Sequence, residues 1–384
     1  MNVVVLGLGV NGLAVVRSLG ERGLSIAGIA LDDDKELGRH SKYLSDVKIF
    51  DAGSSGSNLL NICKSFKLPG KKPFLICTSD LFANLVAEKQ AEFSDLFELS
   101  VPSEDLYWKF LQKQPTAKIC MDNSVPIPKT VFVSIPGTLI SDISDIQFPV
   151  IIKPNLTYEE GFPGKNVIAH NKQDVIDFLD EYPSLETKIV VQEIIKSGDG
   201  SIFVVSTYSN DEGKVEGVYC GRKIRQYLPD YGVTCFGVSE SNDYLKELSV
   251  RFLNTIGYKG FATLEFALDE KTGEYYFIEL NIRTFYHNQL FKDAGVDLNW
   301  IAYRSKIDGE SNFQIEQVDK VLWVDFTRDL GSFLRKYKDG KIKIVSWLRD
   351  IAKAKSFAYW NKRDVKPFYM SILLLFRIFF KRFI

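Results

Sequence analysis

The 384 residues exceed what one ordinary domain needs, so we expect two or three packed modules with substantial apolar cores. Lys and Arg number 48 and Asp and Glu 49, and the formal net charge of -1 excludes a basic nucleic-acid-binding field over the whole chain. The chain has three histidines, and they show neither HExxH nor another metal-binding spacing. A zinc enzyme and a histidine-driven nucleophilic triad are therefore not expected.

The first segment has the pattern of a strand, a glycine turn and a helix. Residues 2–6 form a continuous apolar run, the turn is Gly7-Leu-Gly9-Val-Asn11-Gly12, and residues 13–22 have a helical pattern. Further strands are predicted at 24–30, 46–50 and 73–78, and helices around 57–66 and 80–91. This alternation predicts an open α/β sheet with right-handed crossovers.

The glycine turn has two interpretations. GxGxxG after a strand is the fingerprint of dinucleotide binding, and Asp32, about 20 residues beyond Gly12, would then hold a ribose, as in an NAD-dependent oxidoreductase. The same exposed amides at a helix N-terminus favour other anions, including carboxylates. The turn alone leaves both interpretations open.

A domain seam is expected near residues 105–130, where the prolines of Val125-Pro-Ile-Pro128 end a helix. Closely spaced short strands then follow, with Gly, Asn or Asp turns between them, and they predict an antiparallel α+β module. We predict these strands at 149–153, 188–192, 202–208, 215–221, 262–268 and 274–280.

Lys153 lies at the end of an apolar strand, where a buried stem would present its ammonium group to phosphate. The glycine-bearing loop 155–165 that follows is long enough to cover phosphates, although a surface hairpin loop has the same pattern. Gln192 and Glu193 interrupt the next apolar strand, which suits an adenine slot or an ordinary strand edge.

Carboxylates in two apolar strands give the strongest functional pattern. Glu265 and Glu279 lie in strands that the Asp269–Gly273 turn joins into a hairpin, and facing acids there would repel each other unless a cation lay between them. Oxygen ligands from Glu265, Glu279 and Asn281 suit Mg²⁺. Because side chains alternate along a strand, 279, 281 and 283 would share one face, which adds Arg283 as a cation for a transferring phosphoryl group.

Together these motifs resemble the ATP-grasp superfamily and, within it, the carboxylate-amine ligase group, which includes D-aspartate ligase-like enzymes. The resemblance covers roughly residues 1–310. It implies an α/β and α+β ATP-grasp fold with an N-terminal Rossmann-like domain that binds substrate instead of NAD, and it implies ATP and Mg²⁺ as cofactors.

The resemblance also assigns residues to roles. ATP would be held by Lys113, Lys153, Gly161, Gly164, Lys165, Gln192, Glu193 and Ile195, and Mg²⁺ by Glu265, Glu279 and Asn281. Arg283 matches the arginine near the reacting phosphoryl group and is predicted to be catalytic. The basic segment Gly221–Tyr227 resembles one that lines the cleft in the ligase group, which adds Lys223 and Arg225, although a solvated basic strand has the same pattern. Substrate would be bound by Gly9 and Asn11 of the glycine turn. Sheet topology adds Arg17, Ser79 and Asp80, which lie near strand ends of the first domain. One departure is Gln112, where the family often has Asp before the lysine that matches Lys113.

The expected function is ligation of a carboxylate to an amine through an acyl phosphate, with release of ADP and phosphate. An amino acid or a uronic acid of an envelope precursor or polysaccharide would be the small-molecule substrate. An NAD-dependent oxidoreductase and a non-catalytic ATP-binding sensor are the alternatives.

The predicted domains are residues 1–110, 111–190, 191–310 and a C-terminal extension, 311–384. The final stretch 366–384 is apolar but is interrupted by Arg377, Lys381 and Arg382, so it is too short to span a bilayer. It would pack on the core, join a homodimer or rest on a membrane. The five cysteines lack a CxxC pair and the N-terminus lacks a signal-peptide pattern, so we expect buried thiols and a cytoplasmic protein, at the inner face of the membrane if the tail binds it.

Overall fold

The N-terminal apolar runs form a five-stranded parallel sheet in the computed structural model, which describes residues 1–66, 71–132, 142–156, 160–164, 166–195, 200–227 and 232–380. The strands are β1 (Val3–Leu6), β2 (Ile26–Leu31), β3 (Leu44–Phe50), β4 (Phe74–Cys77) and β5 (Glu98–Leu99). Their order is β3-β2-β1-β4-β5, with parallel pairing throughout. This is the order of a doubly wound α/β sheet, so the predicted fold class is confirmed for this part of the chain.

Four α-helices and a 3₁₀ turn accompany this sheet: Val10–Gly20, Gly56–Lys64, Asp80–Ala87, Gln90–Ser94 and the turn Leu37–His40. Strand β1 is completely buried, which explains its continuous apolar sequence. The predicted helix at 80–91 is two helices, because the chain leaves helical geometry at Lys89, with φ -129° and ψ 34°.

A second sheet contains four antiparallel strands in the order β6-β9-β7-β8. They are β6 (Thr130–Phe132), β7 (Val150–Pro154), β8 (Val167–Ala169) and β9 (Ile189–Glu193). The neighbouring helices are Glu104–Leu111, Lys113–Asp122 and Lys172–Glu181, with a 3₁₀ helix at Pro183–Lys188. Val150, Ile152, Val175 and Val191 form the centre of its apolar core.

The largest sheet has seven strands in the order β14-β13-β10-β11-β12-β15-β16. Its members are β10 (Ile202–Ser209), β11 (Val215–Tyr227), β12 (Val233–Ser239), β13 (Gly260–Leu268), β14 (Tyr275–Asn281), β15 (Leu322–Val324) and β16 (Ser356–Phe357). The helices between them are Asp243–Thr255, Asn288–Asp293 and Leu298–Asp308. The predicted α+β module is therefore present.

Three further helices belong to the C-terminal region: Phe326–Lys338, Ile344–Lys353 and Lys366–Phe380. None of the helices within the described ranges is long and apolar enough to cross a membrane.

The chain divides into two compact units. Unit one contains Met1–Glu104, Asp199–Leu264 and Asn281–Ile384, and unit two contains Asp105–Gly198 and Glu265–Leu280. Most residues predicted to bind ATP and Mg²⁺ fall in unit two, whereas those predicted to bind substrate fall in unit one. The finer boundaries at residues 110, 190 and 310 stay a prediction.

Candidate functional site

Two lysines predicted to bind phosphate lie at the same end of β7 in unit two. The Lys153 ammonium group donates to Gln192 Oε1 at 2.9 Å, and Gln192 Nε2 donates to Thr130 Oγ1 at 2.8 Å. Lys113 Nζ donates to the Pro154 carbonyl at 2.6 Å, directly after Lys153 in the chain. The structure thus brings Lys113, Lys153 and Gln192 together.

The Lys113 helix is also held by its backbone. The amide of Lys113 donates to the Asn155 carbonyl at 3.0 Å, and the amide of Gln114 donates to the Asn155 side chain at 2.9 Å. Although Gln112 departs from the family pattern, the neighbouring lysine still has a defined place beside β7.

Glu193 differs from its predicted role as a reader of the adenine edge. Its carboxylate accepts from the backbone amide of Gln147 at 2.8 Å, and its own amide donates to the Lys129 carbonyl at 2.9 Å. The carboxylate therefore fastens the Gln147 segment, while Ile195 beside it is half-buried and able to form one wall of an adenine slot.

Part of the predicted phosphate-covering loop is described. Gly161 and Gly164 have φ of +83° and +92°, a left-handed geometry that favours glycine. A Cβ at either would meet no atom of the described part of the chain within 4 Å. Phe162 packs on Phe178 with ring centroids 5.8 Å apart, which anchors this part of the loop. Lys165 lies outside the described residues.

The proposed magnesium ligands lie on two neighbouring strands. Glu265 on β13 is 5% exposed and Asn281 at the end of β14 is 9% exposed, whereas Glu279 on β14 is exposed. Within the described ranges no group of three His, Cys, Asp or Glu side chains is placed to hold a metal. The predicted set needs only two carboxylates and one amide oxygen, and these hard donors fit Mg²⁺.

Arg283 does not lie on the strand with Glu279. Strand β14 ends at Asn281, so the period-two argument stops two residues short of the arginine. In unit one Arg283 instead makes a bidentate pair with Asp80, with Nε–Oδ1 2.7 Å and Nη2–Oδ2 3.0 Å. Ser79 caps the helix that begins at Asp80, accepting from the Phe82 amide at 3.4 Å. The predicted substrate residues Ser79 and Asp80 are therefore adjacent to the predicted catalytic arginine.

Lys223 on β11 is almost fully buried, with its Nζ 5.7 Å from the centroid of the Phe285 ring. Beside it lies His287, which is 1% exposed and has no hydrogen-bond partner at either ring nitrogen among the described residues. Burial, with a smaller contribution from the charge of Lys223, lowers the pKa of His287 to about 3. A lone histidine in this sequence carried no motif signal, so sequence reasoning missed His287.

Arg225 conflicts with its predicted catalytic role. Its guanidinium group is buried and pairs with Asp329 at 2.8 Å and Asp350 at 2.6 Å, and it stacks on Phe236 at 4.1 Å. Burial opposes its charge, but the hydrogen bonds and charges of both aspartates raise the pKa of Arg225. These contacts make Arg225 a link between β11 and the C-terminal helices.

The carboxylate of Glu36 contacts the glycine turn. Gly7 has φ +90°, and a Cβ on Gly12 would lie 1.9 Å from the Gly7 carbonyl oxygen, so both positions need glycine. The backbone amide of Leu8 donates to the Glu36 carboxylate, and a Cβ on Gly9 would lie 3.3 Å from Glu36 Oε1. Burial raises the pKa of Glu36. A pyrophosphate at this turn would meet that carboxylate, which disfavours the dinucleotide interpretation.

Asn11 and Arg17 conflict with the substrate-binding roles that we predicted. Asn11 Nδ2 donates to the carbonyls of Thr78 and Thr284, both at 2.7 Å, and Asn11 Oδ1 accepts from Asn288 at 2.6 Å. Arg17 is fully buried and pairs with Asp364 at 3.0 Å. Both side chains hold distant segments of unit one together and have little freedom to contact a ligand.

All five cysteines are free and buried, as the sequence predicts. Burial raises the pKa of Cys63, Cys120 and Cys220 to about 12, and it raises that of Cys77 and Cys235 as well. These thiols are therefore protonated and unsuited to nucleophilic chemistry.

Comparison with known sequences identifies related ligases. A family model described as "Carbamoyl-phosphate synthase L chain, ATP binding domain" matches residues 238–307. D-Aspartate ligase of Enterococcus faecium is 22% identical over 364 residues, covering 88% of this chain and 86% of that protein. D-Alanine–D-alanine ligase B of Clostridium tetani is 23% identical over 188 residues, 46% of this chain and 50% of that protein.

Solved structures give the same fold. N5-carboxyaminoimidazole synthetase of Staphylococcus aureus has a TM-score of 0.66 and 12% identity, covering 88% of this chain and 86% of that chain. The biotin carboxylase domain of Hydrogenobacter thermophilus 2-oxoglutarate carboxylase, solved with MgADP and bicarbonate, has a TM-score of 0.64 and 16% identity, covering 83% and 72%. ATP and Mg²⁺ are the cofactors typical of this fold. The chain thus has the ATP-grasp fold, and its resemblance to the carboxylate-amine ligases, enzymes that form carbon–nitrogen bonds, is confirmed.

Proposed function

We propose that this protein uses ATP to convert a substrate carboxylate to an acyl phosphate and then joins it to an amine, releasing ADP and phosphate. The observation that carries the proposal is that unit two contains Glu265 and Glu279 on adjacent strands and also contains Lys113 and Lys153 at one end of β7. The similarity to D-aspartate ligase over 88% of the chain supports it.

Each group has a role in this reaction. Glu265, Glu279 and Asn281 would hold Mg²⁺, which neutralises charge on the nucleotide phosphates. Lys153 and Lys113 would bind phosphate oxygens as point charges. Arg283, with its planar guanidinium group oriented by Asp80, would bind the transferring phosphoryl group or the carboxylate that attacks it.

The acyl phosphate hydrolyses readily, so water must be kept from it before the amine attacks. The loop around Gly161 and Gly164 is the candidate cover, because left-handed glycines allow a loop to change direction tightly. Lys165 is proposed as the phosphate contact of that cover.

We infer that the substrates are small molecules and that one of them is an amino acid. The relatives act, by their names, on D-aspartate and D-alanine. A uronic acid of an envelope precursor or polysaccharide is the second candidate for the carboxylate. Lys223, buried next to His287, would supply positive charge for such an acid.

The two alternatives have less support. An NAD-dependent oxidoreductase would need the glycine turn for a pyrophosphate, where the Glu36 carboxylate already accepts from the Leu8 amide. A non-catalytic ATP sensor would have no need for Arg283, whose bidentate contact with Asp80 orients a cation next to the substrate residues.

We also propose a cytoplasmic location. The helix Lys366–Phe380 packs against the turn Leu37–His40, and its Pro367 and Ser371 are buried, which favours core packing. Tyr369, Leu373 and Phe376 form an exposed stripe on the same helix, through which this tail would contact a membrane or a second copy.

The test is phosphate release from ATP and Mg²⁺ with amino acids and sugar acids, offered singly and in pairs. Release that requires both a carboxylate and an amine supports the ligase. If NAD(H) binds and no pair of substrates releases phosphate, the proposal is wrong.

A further inference from the structure

Two C-terminal helices expose an unusual number of large apolar side chains. On Phe326–Lys338 the residues Phe326, Leu334 and Tyr337 are 45%, 57% and 49% exposed. On Ile344–Lys353 the residues Ile344, Val345 and Leu348 are 46%, 68% and 53% exposed. We refer to these six side chains as the C-terminal apolar surface.

Helical spacing explains why these side chains form stripes. Positions 326, 334 and 337 lie on one face of their helix, and 344, 345 and 348 lie on one face of theirs. Phe333 and Trp347 are buried beside these stripes and stack with ring centroids 4.4 Å apart. Phe326 and Tyr337 also contact this pair, with ring centroids 6.0 Å from Trp347 and 5.6 Å from Phe333. Each exposed stripe therefore adjoins a buried aromatic contact between the two helices.

The same segment is strongly basic. Residues 334–353 contain seven Lys or Arg and only two Asp, whereas the whole chain has a formal net charge of -1. Six of the basic side chains are exposed, namely Arg335, Lys338, Lys341, Lys343, Arg349 and Lys353. Asp350 is paired with Arg225 at 2.6 Å, which leaves Asp339 as the remaining acid of this segment.

The positive charge of this segment favours a membrane over a second copy of the chain as the partner of the C-terminal apolar surface. In a symmetric contact between two copies, both sides would present the same basic segment, and its lysines and arginines would repel one another. Lysine is also depleted from the cores of protein interfaces. Apolar stripes flanked by Lys and Arg are typical of helices that lie in the headgroup region of a membrane with anionic lipids.

We propose that the helices Phe326–Lys338 and Ile344–Lys353 bind the surface of a membrane that contains anionic phospholipid. The C-terminal apolar surface would enter the headgroup boundary, and the six exposed basic residues would bind lipid phosphates. This surface is separate from the Tyr369, Leu373 and Phe376 stripe and does not depend on the proposed ligase activity.

The test is co-sedimentation of the full chain with vesicles of phosphatidylcholine, with or without phosphatidylserine. The chain should sediment with the anionic vesicles, and raising the salt concentration should weaken binding because it screens the lysines. Replacing Lys341→Glu and Lys343→Glu together, or Val345→Asp and Leu348→Asp together, should weaken binding at least about tenfold.

Control variants test whether vesicle binding depends on this surface and not on other exposed apolar side chains. Tyr244→Asp removes an equally exposed apolar side chain, at 53%, from another helix of unit one and should bind like the unchanged chain. Circular dichroism checks that each variant is folded. The proposal is overturned if the paired variants bind as the unchanged chain does, if only Leu373→Asp abolishes binding, or if they dissociate a dimer without affecting vesicles.

Discussion

At the scale of single residues, Glu279 is the most direct test of the metal assignment. The side chain is exposed on β14 and carries a carboxylate that the amide of glutamine matches in size. We expect Glu279→Gln to abolish ATP-dependent phosphate release, because a neutral amide is a much weaker Mg²⁺ ligand. The measurement is phosphate release at saturating ATP and Mg²⁺.

The matched control is Glu274→Gln on the same hairpin, where the carboxylate accepts from the Tyr276 hydroxyl at 2.8 Å and faces solvent. This variant should retain phosphate release within about twofold, since such surface contacts are weak. Full activity in Glu279→Gln would remove Glu279 from the metal site.

His287 gives a prediction about stability and pH. Its pKa falls from 6.5 to about 3 on folding, so between these values the unfolded chain binds more protons than the folded chain. The free energy of unfolding should therefore decrease as the pH falls through this window, by up to about 1.4 kcal/mol per pH unit from this residue.

His287→Phe keeps an aromatic ring among Phe285, Phe291 and Trp323 but removes the titration. Urea unfolding of both proteins from neutral to acid pH should give a shallower pH dependence for His287→Phe. Parallel curves would show that His287 is not buried in its neutral form.

Sequence reasoning at this scale failed where a cation has a distant partner. Arg17 pairs with Asp364, 347 residues away, and Arg225 pairs with Asp329, 104 residues away. No local pattern reveals such a pair, so both arginines had the pattern of functional residues. Lys153 was predicted from its place at the end of an apolar strand and Lys113 from the family resemblance. The structure places both at one end of β7, and their contact with phosphate stays a prediction.

At the scale of elements, the helix Val10–Gly20 is fastened to the segment around Asp364. Arg17 donates to Asp364 and to the carbonyls of Ala358 and Tyr359, and Asp364 also accepts from the Ser41 hydroxyl and the Lys42 amide. Asp364→Ala leaves the buried guanidinium group without its counter-charge, and we expect a cost of about 3–5 kcal/mol.

Chemical unfolding measures this cost, and the control is Asp105→Ala. Asp105 is 72% exposed in its pair with Lys109 and should contribute less than about 1 kcal/mol. Equal decreases in the free energy of unfolding for the two substitutions would contradict the role of Asp364 as the buried partner of Arg17.

Element type was more predictable than element ends. The apolar run of β1 and the period-two strands of the hairpin follow from their sequence patterns, whereas the end of β14 at Asn281 does not. The chain turns there so that Arg283 reaches Asp80, a tertiary contact 203 residues away in sequence. The prediction that the strand of Glu279 continues to Arg283 was wrong for that reason.

At the scale of the whole molecule, the fold class follows from the order of the predicted elements, and the family resemblance from a few polar residues in apolar strands. The residue ranges of the two units could not be predicted from the sequence, because unit one combines the N-terminal sheet with segments from later in the chain. Contacts such as that of Asn11 with Thr284 and Asn288 hold these segments together, and no local sequence pattern predicts such contacts.

The central claim is that a carboxylate is activated as an acyl phosphate, and isotope transfer tests it most directly. The substrate, beginning with aspartate, carries ¹⁸O in its carboxylates, and the phosphate released in the presence of ATP, Mg²⁺ and an amine is analysed by mass spectrometry. The account predicts that each ligation transfers one ¹⁸O atom from the carboxylate to phosphate. Ligation that yields unlabelled phosphate, or ¹⁸O in AMP instead, would contradict it.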